Sequence, residues 1–129
     1  MKLLTILIMT VALMAGVAYA GNYEVARKTG EYNVLVSMDK NPPSVGDNNV
    51  TITIKDAAGK YVTDAKVKME YSMPAMPPMP AMNYKTDALL SGETFAAKMN
   101  LSMSGVWYIT VKISRGGKIS AVKFNVEAP

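Results

Sequence analysis

Residues 106–114 read Val-Trp-Tyr-Ile-Thr-Val-Lys-Ile-Ser. Trp107, Ile109, Val111 and Ile113 fall on one side of an extended chain, and Tyr108, Thr110 and Lys112 on the other. Strict alternation at period two is the signature of a half-buried β-strand. The next four residues, Arg115-Gly116-Gly117-Lys118, supply the glycines a tight hairpin needs, and Val122, Phe124 and Val126 alternate beyond them. The same pattern extends backwards. Tyr32–Met38 places Val34, Val36 and Met38 on one face; 49–55 places Val50, Ile52 and Ile54; 65–72 places Val67, Met69 and Tyr71; 83–89 follows; then come Phe95, Ala97, Met99 and Leu101. Turn-rich segments separate these runs: Asn41-Pro42-Pro43-Ser44-Val45-Gly46-Asp47, Asp56-Ala57-Ala58-Gly59 and Ser91-Gly92. About seven short strands at roughly ten-residue spacing, with no helical periodicity, predict an all-β, antiparallel β-sandwich of immunoglobulin-like topology over 31–129, after an N-terminal lead-in at 21–30. An open barrel satisfies the same pattern.

Residues 1–20 carry Lys2, an apolar run over 3–15 and Ala18-Tyr19-Ala20, the three-part layout of a secretory signal peptide. Its removal leaves 109 residues, 21–129, expected to be soluble and exported to a periplasm or cell envelope. Retained, the segment is nearly long enough to serve as an anchor. No second long apolar run follows, so the mature form is not expected to span a membrane. The chain has no cysteine, which excludes thiol chemistry and a lipidated cysteine, and it has no histidine. Its net charge of +4 is spread singly along the strands, without the clustered basic and aromatic surface of a nucleic-acid binder. Asn49-Val50-Thr51 and Asn100-Leu101-Ser102 match the glycosylation sequon but fall in strand patterns, where the match is read as chance.

One segment has no counterpart in that strand grammar. Residues 73–82 read Met-Pro-Ala-Met-Pro-Pro-Met-Pro-Ala-Met. Proline fixes φ and removes backbone donors, so the expected conformation is polyproline II, which turns once in three residues. Met73, Met76, Met79 and Met82 would then form a row of thioethers at intervals of roughly 9 Å. Thioether sulfur selects soft ions, Cu(I) and by the same argument Ag(I), while the imidazole, thiolate and clustered carboxylate ligands of Zn(II), Cu(II) or Fe are mostly missing. Methionine is also an adaptable hydrophobe, and a Met/Pro loop serves equally as a docking surface for a partner protein or as a lid on the core.

Four features together resemble the YtkA-like domain, related to FixH-like proteins: Pro43-Ser44-Val45-Gly46-Asp47-Asn48; Asp56-Ala57-Ala58-Gly59 with Asp64-Ala65; the methionine segment; and Leu101-Ser102-Met103-Ser104-Gly105-Val106-Trp107. The resemblance spans about residues 31–126. It implies an exported immunoglobulin-like module of the bacterial cell envelope, with a role in copper handling or in maturing copper-containing respiratory enzymes. A metal-efflux component is the other partner it implies.

Met103 lies in a turn-like stretch and is a candidate fifth sulfur if that turn meets the 73–82 segment at one end of the sandwich. Met38 is a further candidate. Trp107 is expected in the core, with a role as an aromatic wall beside a bound cation as the sharper alternative. Asp39, Asp47, Asp56, Asp64 and Asp87 stand singly in turns or near strand ends, where aspartate caps and turn formation explain them. Enzymatic function is not expected, because the nucleophile and acid–base pairings it requires are missing. The sequence therefore predicts a Cu(I) or Ag(I) carrier using Met73, Met76, Met79, Met82 and Met103, with a protein-docking module as the alternative.

Overall fold

A computed structural model describes residues 23–129, and the expected signal peptide lies outside them. Eight antiparallel strands account for nearly all of that length: β1 (Tyr23–Thr29), β2 (Tyr32–Met38), β3 (Gly46–Lys55), β4 (Lys66–Met73), β5 (Met82–Ser91), β6 (Thr94–Leu101), β7 (Gly105–Arg115) and β8 (Lys118–Ala128). They form one sheet in the order β1-β2-β3-β6-β5-β4-β7-β8, whose two edges, β1 and β8, approach each other, so the sheet is nearly closed. Strands β2 to β8 reproduce the two halves of an immunoglobulin sandwich, β2-β3-β6-β5 and β4-β7-β8, with β1 added outside β2. No helix among the described residues is long and apolar enough to cross a membrane.

β5 joins the halves. Its first seven residues pair with β4, from Met82↔Met73 to Ala88↔Val67, and its last three pair with β6, from Leu89↔Ala96 to Ser91↔Thr94. A single core runs between the halves and contains every alternating apolar residue named above except Ala97, which is partly buried against it. Burying an aliphatic or aromatic side chain contributes about 1.5–3 kcal/mol, so this shared layer holds the two halves together. Gly116 and Gly117, both with positive φ, form the two-residue turn between β7 and β8, where Arg115 pairs with Lys118.

One strand is additional to the seven expected. β1 occupies most of the segment read as a lead-in, yet only Val25 of its seven residues is buried. It is a charged edge strand, which protects the sheet from edge-to-edge pairing and leaves little alternation to read.

Candidate metal centre

The 73–82 segment is a β-hairpin, not a polyproline II row. Prolines at 74, 77, 78 and 80 remove four donors, but Met76 and Met79 keep theirs. Met76 N donates to Met79 O at 2.9 Å, and Met79 N donates to Met76 O at 2.6 Å. The reversal runs through Pro77-Pro78, joined by a cis peptide bond, with Pro78 at the third position of the turn. Forming these two bonds satisfies groups that polyproline II would leave to solvent, which is why the hairpin prevails.

The hairpin rearranges the sulfurs. Met73 is the Cα partner of Met82, and Met76 the partner of Met79. Cross-strand partners share a face, with Cβ atoms about 4.5–5.5 Å apart, so the four methionines form two pairs instead of a row. Their environments differ. Met76 and Met79 sit at the tip, 50% and 41% exposed, whereas Met73 is 2% exposed and belongs to the core. Met82 is partly buried against that core.

The turn before β7 meets the inner pair. Ser102 Oγ donates to Met82 Sδ at 3.5 Å. Gly105 carries a φ of +132°, and a Cβ placed on it would lie 2.9 Å from Met73 Cε. Glycine is therefore required twice there, for its backbone and for the Met73 methyl. Met103 packs against the same core, and its carbonyl accepts the Trp107 Nε1–H at 3.0 Å. Met73, Met82 and Met103 are thus brought to one end of the sandwich. Met76 and Met79 project beyond it, and Met38 is fully enclosed in the core.

Beneath the inner pair lies an aromatic triad. Tyr71 and Tyr84 stand 5.4 Å apart between ring centroids, and Trp107 is 6.1 Å from the first and 6.0 Å from the second. Tyr84 Oη is 3.4 Å from Ser102 Oγ, which links the triad to the hydroxyl on Met82. Tyr71 Oη accepts the Asn100 N–H at 3.3 Å. Tyr84 and Ser102 are absent from the residues singled out by sequence, although period two from Met82 already places Tyr84 on its face, as it places Tyr71 on the face of Met73.

The methionine segment itself carries no charged side chain. Among the described residues no three His, Cys, Asp or Glu side chains gather into a metal site. Asp39 accepts the backbone N–H of Asn49, which holds its carboxyl below the usual value. Asp56 is lowered likewise by the backbone N–H groups of Lys60 and Ala58. Asp64 pairs with Arg115 at 2.8 Å, and the Arg115 guanidinium is held above its usual value, chiefly through Tyr32 and then Asp64. These aspartates do turn and strand-end work. The hairpin 73–82 and the turn 102–105 carry no charged side chain; Glu127, partner of Val106, and Asp47, bonded to Asn100, flank them.

The chain as a whole falls into a recognised family of proteins. A family model for YtkA-like proteins matches residues 26–112, and the chain is a member of that family. No curated protein sequence matches it. Among solved structures it is similar to FetP of the uropathogenic Escherichia coli strain F11, crystallised "as isolated" after recombinant expression in the periplasm of E. coli. The TM-score is 0.52 at 10% identity, over 82% of this chain and 95% of that one, a likeness of fold.

Proposed function

We propose that this protein is an exported carrier of Cu(I), with Ag(I) as a surrogate, which captures the ion between thioethers and passes it on by ligand exchange. The observation that carries the reading is the pairing of Met73 with Met82 and Met76 with Met79 in a chain without histidine or cysteine. Two sulfurs from adjacent strands reach one ion without bending the segment, and linear or trigonal two- and three-sulfur sites suit soft monovalent ions. The exposed tip pair is the capture site. The inner pair, with Met103 beside it and the π faces of Tyr84 and Trp107 below, is the more protected position, where cation–π attraction adds to coordination. Periplasmic localisation is part of the proposal, supported by the N-terminal sequence pattern; the acceptor is a copper-containing respiratory enzyme or a metal-efflux component.

Calorimetric titration of the protein with Ag(I) and Zn(II), on the native chain and on the M76L/M79L and M73L/M82L variants, tests this reading. The expected result is tight Ag(I) binding, no comparable Zn(II) binding, and loss of one class of site in each variant with the fold retained. Equal Zn(II) affinity, or Ag(I) affinity unchanged in both variants, refutes it. The exposed, proline-stiffened tip also favours a second reading, in which Met76 and Met79 are hydrophobic contacts for a partner protein. In that case leucine substitutes for methionine without loss of partner binding.

A further inference from the structure

The outward side of β5-β4-β7-β8 is unlike the rest of the surface. The register sets Glu70 beside Lys85 and Thr110, with Lys123 beyond, and Lys68 beside Asp87 and Lys112; Lys66 lies beside Ser114, with Ile119 beyond. Antiparallel partners share a face, so five lysines and three acids point the same way, the third acid being Glu127 beside Val106 at the far end. Apart from Lys2, which lies before the described residues, the chain has thirteen basic and ten acidic side chains. Eight basic and seven acidic side chains remain elsewhere, so most of the excess positive charge resides on this face, and its groove end carries Lys66, Lys68 and Lys112 against Asp87. Glu70 is already engaged by Lys112 at 3.0 Å.

At one end of the face a groove of about 590 Å³ is floored by Val67, Ala88 and Phe95 and bordered by Lys66, Lys68 and Lys112. Leu89 and Ile119 stand on its rim, 69% and 72% exposed. Large aliphatic side chains projecting among lysines are positioned to enter another apolar phase.

We propose that this face docks the protein on an anionic lipid bilayer, Leu89 and Ile119 entering the headgroup layer while the lysines lie over lipid phosphates. Three features select a bilayer over an acidic protein surface. Every cation that β4, β5, β7 and β8 place on the face is lysine, a point charge suited to a diffuse phosphate layer; the arginine fork, which fits individual carboxylates, comes only from Arg27 of β1 at the border beside Lys123. The aliphatic groups protrude, whereas an anchor-receiving site would recess them. The lysine stems can lie along the acyl boundary with their charges in the headgroups. This inference is independent of the metal reading, since the methionine hairpin is at the other end of β4 and β5.

Co-sedimentation of the protein with vesicles of equimolar phosphatidylglycerol and phosphatidylcholine, against phosphatidylcholine alone, tests it. The expected result is partition onto the anionic vesicles only, abolished in about 0.5 M salt, where the screening length falls to roughly 4 Å. K66Q/K68Q/K123Q should weaken partition at least about tenfold, and L89S/I119S should weaken it while preserving its salt dependence. Asp87→Asn, which removes a negative charge from the face, should strengthen it about threefold to fivefold. No partition at low salt, equal partition onto neutral vesicles, or indifference to all three variants overturns the proposal. Binding to polyglutamate without vesicle binding also overturns it, in favour of an acidic protein.

Discussion

Replacing Gly105 with alanine tests how the turn before β7 holds Met73. Two costs arise from separate causes. At φ +132° an L-residue occupies a region that only glycine visits freely, a strain of about 1–3 kcal/mol. The new methyl would also stand 2.9 Å from Met73 Cε, closer than real Cβ atoms approach. That second cost is smaller, about 1 kcal/mol, because the obstructing atom is the end of a flexible side chain that must leave its rotamer. The expected destabilisation is about 2–4 kcal/mol, which for a domain of this size lowers Tm by roughly 10–15 °C. Thermal unfolding by circular dichroism measures the sum, and the two parts separate in the Met73→Ala background. There the clash disappears while the backbone strain remains, so Gly105→Ala should cost about 1 kcal/mol less than in the native chain. A loss below about 0.5 kcal/mol in the native background would refute the geometry assigned to this turn.

Mild peroxide should oxidise Met76 and Met79 at the exposed tip well before the fully buried Met69 and Met99, as peptide mass mapping would record; early oxidation of Met69 would contradict the core assignment. Trp107→Phe removes the donor to the Met103 carbonyl and should cost about 1–3 kcal/mol in chemical denaturation, with the Met103 methyl resonance displaced. Ag(I) affinity should be nearly flat between about pH 7 and pH 5, because thioether sulfur has no proton to lose, whereas a site with a titrating ligand would weaken markedly. The fold should hold across that window. Asp39 and Asp56 have folded pKa values below their unfolded ones, so the stability they confer is complete above the unfolded carboxylate range and is lost only as pH falls through the folded values. A competition titration at both pH values, with circular dichroism alongside, measures both.

The strand pattern was legible because burial and register both follow period two. Val34, Val36, Ile52, Ile54, Met69, Ile109 and Val111 alternate in the sequence and are buried in the structure for one reason, the pleat. β1 was hidden because Glu24, Arg27 and Lys28 break its alternation, as an edge strand facing solvent requires. The change of partner within β5 leaves no local mark either, since it depends on how the two half-sheets diverge rather than on any residue in 82–91. In the methionine segment the expected polyproline II conformation gives way to a hairpin. Proline content argued against pairing, yet two remaining amide donors suffice to close a hairpin once they face each other. For Met103 the sequence offered only a condition, that its turn meet this segment, and it is the fold that brings Ser102 to Met82 and Gly105 to Met73. The hydroxyl on Met82 leaves no mark in the sequence, because Ser102 is an ordinary turn residue and Tyr84 an ordinary residue of β5 until the fold juxtaposes them.

The central claim is that the paired methionines with Met103, and not Met38, Met69 and Met99, are the metal ligands. Titration of the methyl-labelled protein with Ag(I), followed by methionine-methyl NMR, tests it most directly. The account predicts stoichiometric shifts of the Met76 and Met79 methyls together, and of the Met73 and Met82 methyls together with Met103, while Met69 and Met99 stay in place. Methyl resonances that do not move at stoichiometric Ag(I), or that move equally at every methionine, would contradict it.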